Sequence, residues 1–103
     1  MALKYFGYIF LSHGFSPIDN TVTTQNSQCK FKAVGIDFEQ KSQAVDVAKS
    51  LLKEGAQMIE LCGGFGPLWI AKISKAINYE IPVGSVAYGP EARQLLLDII
   101  KPD

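Results

Sequence analysis

The stretch Glu60-Leu61-Cys62-Gly63-Gly64-Phe65-Gly66-Pro67 constrains the fold most, because in it a short apolar run meets a glycine-rich turn that opens a helix. Gln57 to Cys62 has the length and composition of a buried strand. Glycine adopts positive φ at little cost and lets a backbone or a ligand approach closely, so Gly63, Gly64 and Gly66 permit a sharp strand-to-helix turn. Pro67 suits the first helical position: its fixed φ matches the helix, and its missing N–H would have had no partner there. Such a turn leaves free N–H groups at a helix N-terminus, where an anion is favoured. The pattern is neither G-x-G-x-x-G nor a P-loop, since no Gly-Lys-Ser/Thr follows. A turn needed only for packing explains the glycines as well as a ligand cradle does.

The same punctuation returns at Gly89-Pro90, after an apolar run from Pro82 to Tyr88 and before the helical pattern of Ala92, Leu95, Leu96, Ile99 and Ile100. Upstream, Lys4 to Leu11 is rich in aromatic and β-branched residues and reads as a central strand, apolar on both faces. Ser12 to Gln28 is polar and long for a connection, with Pro17 and Asp19-Asn20 as turn signals; Thr21 to Thr24 has the composition of a short edge strand. Cys29 to Ile36 reads as the next strand. Asp37 and Gln40 resemble a capping box ahead of a helix whose Ala44, Val45, Val47, Ala48, Leu51 and Leu52 share one face. Gly55 ends that helix in a left-handed cap. A further helix over 67–77 buries Trp69, Ile70, Ile73, Ala76 and Ile77.

Strands separated by helices pair in parallel through right-handed crossovers. The expected fold is therefore α/β: a single-layer, mostly parallel sheet of about four strands with three helices, in the order β-β-α-β-α-β-α. The 103 residues fit one domain, residues 1–103. Three helices do not cover both faces of an apolar sheet, so a homo-oligomer is expected.

Composition narrows the function classes. Ten basic and ten acidic residues cancel and the lysines are scattered, which gives no electrostatic footprint for nucleic acid. No apolar run reaches the roughly 20 residues of a membrane span, and the expectation is a soluble cytoplasmic protein without membrane association. With two cysteines, no C-x-x-C pair and one histidine, no metal site and no cofactor is expected. Cys29 and Cys62 are read as reduced thiols, with a disulfide between them left open.

In parallel α/β sheets ligands bind beyond the carboxyl ends of the strands. That rule selects Asp37, Glu60, Cys62, the Gly63–Gly66 turn, Tyr88 and Gly89, joined by Ser12, His13 and Gly14 if the first strand runs the same way. Cys62 and His13 have the chemistry of a nucleophile and its base. Glu60, a carboxylate in an apolar strand, is a candidate acid or base if buried; a hydrogen bond to a tyrosine or a partner such as Arg93 is its structural alternative. Tyr88 offers a hydroxyl at the rim, and Asp37 reads as a helix cap.

The blocks Tyr8-Ile9-Phe10-Leu11 with His13-Gly14-Phe15, then Ile59 to Pro67, then Ile81-Pro82-Val83-Gly84 through Tyr88-Gly89, resemble a family of small bacterial proteins classed as a domain of unknown function. The similarity spans nearly the whole chain, and Glu60–Pro67 is its specific part. It implies a compact bacterial protein and carries no activity, cofactor or catalytic residue.

Three functions compete, in this order. The first is a small-molecule binding domain holding an anionic or carboxylate group, with Gly63, Gly64, Gly66, Tyr88 and Gly89 as ligand-binding residues. The second is an enzyme using Cys62 or Glu60 with His13. The third is a structural or interaction subunit without a ligand.

Overall fold

A computed structural model of the chain describes residues 2–100. The elements are β1 (Tyr5–Leu11), β2 (Thr21–Gln25), β3 (Lys30–Ile36), α1 (Gln43–Lys53), β4 (Ile59–Leu61), α2 (Pro67–Ala76), β5 (Val83–Ser85) and α3 (Arg93–Ile100), with single 3-10 turns at Phe38–Gln40 and Pro90–Ala92. The fold is α/β with a mostly parallel sheet and three helices. The expected four strands are present, and Thr21–Gln25 adds a fifth by pairing antiparallel with β3 at the sheet edge.

The sheet order is β2-β3-β1-β4-β5, with β1 parallel to both β3 and β4 and β4 parallel to β5. The open question of the first strand's direction is thereby answered: β1 is central and shares its carboxyl end with β3, β4 and β5. β4 and β5 are only three residues long, shorter than the apolar runs that announce them; ahead of β4, Gln57 is held to β1 by its N–H, which donates to the Tyr5 C=O at 2.8 Å, and by its side-chain oxygen, which accepts from the Lys4 and Tyr5 N–H groups.

The crossovers through α1 (β3 to β4) and α2 (β4 to β5) move across the sheet in one direction, and right-handed crossovers of one direction place their helices on one face. The covered face carries Tyr5, Gly7, Ile9, Leu11, Val34, Ile36, Ile59 and Leu61. Against it lie Ala44, Val47, Ala48 and Leu51 of α1 and Ile73 of α2. Ile9, Ile36, Leu51, Ile59, Leu61, Ile73 and Ile77 are fully buried, and each contributes about 1.5–3 kcal/mol by leaving water. Gly7 makes this approach possible, since a Cβ there would stand 2.6 Å from Leu51 Cδ1.

The connection from β1 to β3 moves the other way, so a crossover helix there would have covered the opposite face. The chain instead uses the loop 12–20 and β2, and that face has no helix on it. The expectation that β1 is apolar on both faces is met by Phe6, Tyr8 and Phe10, which remain half-exposed on this open side. Phe6 packs on Phe31 with centroids 4.8 Å apart, Tyr8 stacks near Phe10, and Phe15 reaches back from the loop onto Phe10.

The glycine and proline signals match the element boundaries, whereas the Asp37 cap lies ahead of a separate 3-10 turn and Ser42 precedes α1. The Asp37 carboxylate accepts from the Glu39 N–H at 3.2 Å, capping the 3-10 turn, and α1 starts later, at Gln43. Gly55 stands at φ +101° after α1, and Pro67 opens α2. The amphipathic pattern of the last helix is present, but α3 buries no residue: Leu95 and Ile99 are 71% and 79% exposed. Among the described residues of α3, only Leu96 is half-buried, at the rim beside Arg93.

Candidate functional site

The site grows from the turn after β4. Gly66 caps α2 at φ 79° and ψ 170°, a conformation essentially reserved for glycine, and the space where its side chain would project is empty. With Pro67 at the first helical position, no side chain caps the start of α2, and the Trp69 N–H donates to the Gly66 C=O at 3.3 Å. Gly63 is glycine for a different reason. The segment after β5 passes over it, tied by Val86 N–H to Leu61 C=O at 2.9 Å, and a Cβ at 63 would stand 3.2 Å from the Val86 carbonyl oxygen and 3.4 Å from Tyr88 Cε2.

Between the two segments lies a cleft of about 500 Å³, lined by Gly63, Gly66, Pro67, Tyr88, Gly89 and Arg93 among others. Four of the five residues read as ligand-binding thus meet at one cleft. Gly64 is not among the residues that line it; a Cβ there would stand 3.2 Å from Leu11 Cδ1. Sequence reading placed Arg93 only as a partner for Glu60. It is the chain's one arginine, and the spacing Gly89-Pro90-x-x-Arg93, which puts it one turn past the second Gly-Pro junction, was the available signal.

The proposed nucleophile and base are not joined in this way. Because β1 is parallel to β4, His13 reaches the same rim as Cys62, but its ring is exposed and rests on Phe38, with centroids 4.9 Å apart. Cys62 Sγ accepts from the Leu11 N–H at 3.3 Å, which closes the gap between β1 and β4. Cys29 and Cys62 are both free, and they sit at opposite ends of parallel strands, one before β3 and one after β4.

Glu60 corrects another expectation. It is exposed on the open face, not buried, because β4 is covered on one side only and Glu60 alternates with the buried Ile59 and Leu61. There it borders a shallow hollow with Phe6, Tyr8, Phe31 and Val86. Burial raises the Tyr8 phenol above its ordinary pKa, and the charges of Cys62, Tyr88 and Glu60 push it further in the same direction. Tyr8 therefore stays a hydrogen-bond donor at neutral pH, with Glu60, Cys62 and Tyr88 as its electrostatic neighbours. Val86 lines both the hollow and the rim cleft, so the two adjoin.

Among the described residues, no group of three or more His, Cys, Asp and Glu side chains is placed to hold a metal ion, and no helix is long and apolar enough to cross a membrane.

These features define a class: a mostly parallel α/β domain with α1 and α2 on one face of its sheet and a glycine-lined cleft at the carboxyl rim. The chain belongs to the family of unknown function DUF6506, whose model matches residues 4–101. No curated protein and no solved structure matches it.

Proposed function

We propose that this chain is a cytoplasmic, homo-oligomeric small-molecule binding domain of a bacterium, and that it holds an anionic or carboxylate group at the rim cleft. The observation that carries this reading is the convergence of the Gly66-Pro67 helix start, Tyr88 and Arg93 on one cleft. The uncapped N-terminal end of α2 and the Arg93 guanidinium supply positive potential, the guanidinium in a fork that matches a carboxylate or phosphate, and the Tyr88 hydroxyl is a hydrogen-bonding group beside them. Thermal denaturation across a panel of carboxylates and phosphate esters tests it. At least one member raises the melting temperature of the natural chain and leaves Arg93→Gln unshifted; a panel that shifts neither protein counts against the reading.

An enzyme using Cys62 or Glu60 with His13 is the second reading. Support for it comes from the electrostatic neighbourhood of Tyr8, Glu60, Cys62 and Tyr88, and His13 would have to leave Phe38 to take part. Rapid alkylation of Cys62 at neutral pH, faster than that of Cys29, favours it. A structural subunit without ligand is the third, and the filling of the Gly63 and Gly64 positions by neighbouring groups favours it.

A further inference from the structure

The described residues leave two apolar surfaces largely uncovered, apart from Phe15 on Phe10. One is the open face of the sheet, where Phe6, Tyr8, Phe10 and Phe31 stand half-exposed beside Val22 and Val86, 62% and 42% exposed. The other is α3, whose Leu95, Leu97, Ile99 and Ile100 are exposed while only Leu96 and Arg93 turn toward the rim cleft. We propose that two copies associate by reciprocal exchange, each laying its α3 across the open sheet face of the other. This deepens the oligomer reading above by naming the surfaces, and it is independent of the anion reading.

The fit is one of size and pattern. Eight helical residues are about 12 Å long and a helix is about 10 Å across. The rings of Phe31, Phe6 and Tyr8 span β3 and β1, next to Glu60 on β4, a width of about 10 Å at ordinary strand spacing. Gln94 donates to Asp98 at 3.0 Å, marking the wet side of α3, while Leu95 and Ile99 lie one turn apart on the side left free. One helix on one face is a small contact, but twofold symmetry makes the contact occur twice. With each exposed apolar side chain worth on the order of 100 Å², two such contacts bury on the order of 1,000 Å², which reaches the size of a specific interface.

The absence of a crossover helix explains why the partner must supply one. The β1-to-β3 connection leaves the open face bare, and α3 is joined to β5 at the sheet edge through Gly89 and the 3-10 turn, which the Ala92 N–H closes by donating to Gly89 C=O.

Sedimentation equilibrium of the full chain, with isotope-filtered nuclear Overhauser spectra on a mixed labelled and unlabelled sample, tests the exchange. The expected mass is about twice 11.3 kDa, with intermolecular contacts from the Leu95 and Ile99 methyl groups to the Phe6 and Phe31 rings. The pair Leu95→Glu and Ile99→Glu, on a helix that buries nothing within one copy, is expected to weaken association by about 100-fold or more while the far-ultraviolet spectrum stays that of a folded chain. A monomer at millimolar concentration, contacts from α3 to its own sheet only, or a dimer that survives the double substitution overturns the exchange. A dimer without α3 contacts does so while leaving the oligomer reading intact.

Discussion

Tyr88 lies across Gly63: a β-carbon at position 63 would stand 3.4 Å from the Tyr88 ring and 3.2 Å from the Val86 carbonyl oxygen. Twenty-five positions apart in sequence, the two residues follow neighbouring parallel strands, and their contact forms one wall of the rim cleft. Gly63→Ala is therefore expected to cost about 1 kcal/mol and to displace Tyr88, because backbone yields less readily than a side-chain tip. Urea denaturation gives the cost, and a changed chemical-shift environment for the Tyr88 ring gives the displacement.

Gly66→Ala separates conformation from contact. No atom lies where the new methyl would go, yet φ 79° with ψ 170° is strained for any residue with a side chain. The expected loss is about 1–3 kcal/mol by urea denaturation, without the Tyr88 shift seen for Gly63→Ala.

Gly7 and Leu51 are expected to be coupled. Gly7→Ala drives a methyl into Leu51 at 2.6 Å and is expected to cost about 1–3 kcal/mol, while Leu51→Ala leaves a cavity and costs about 2–5 kcal/mol. Each substitution relieves part of what the other causes. The double variant is expected to lose less than the two losses added, measured as a thermodynamic cycle in urea.

The Tyr5, Glu54 and Lys32 side chains give a dependence on pH. The Tyr5 hydroxyl donates to Glu54 at 2.8 Å and Lys32 pairs with it at 3.0 Å, and these bonds, Tyr5's first, hold the Glu54 carboxyl below its usual 4.5. A carboxyl depressed on folding adds stability that is present above its unfolded value and is lost as pH falls from there through the folded value. Glu54→Gln is thus expected to be less stable than the natural chain at neutral pH and to converge with it on acidification below about 4.5. Tyr5 gives the opposite limb: burial and then Glu54 raise its phenol above 10.0, so its contribution is present below that pH, is lost in more alkaline solution, and is missing from Tyr5→Phe. Stability curves of the three proteins across pH check both limbs.

What the sequence revealed follows from where its physics is local. Gly66-Pro67, Gly89-Pro90 and Gly55 act within a few bonds, and each marks a boundary in the structure. The central place of β1 was legible in its aromatic and β-branched run. The open face was not, since it depends on which way the chain turns after β1, and no single residue records that choice. Glu60 illustrates the consequence. Its alternation with Ile59 and Leu61 was visible, but whether its side faced protein or water depended on a helix that is absent. Arg93 escaped notice as a cleft residue because its neighbours there, Gly63 and Gly66, come from another junction, brought alongside only by the β4–β5 pairing.

The central claim, that the rim cleft receives an anionic group, is tested most directly by titrating isotope-labelled full chain with inorganic phosphate and with a set of small carboxylates while following backbone amides and the Arg93 side chain. The account predicts saturable shifts at Gly63, Gly66, Leu68, Tyr88 and Arg93 that vanish in Arg93→Gln. Shifts confined to His13 and Phe38, or none at any residue of the cleft across the whole set, would contradict it.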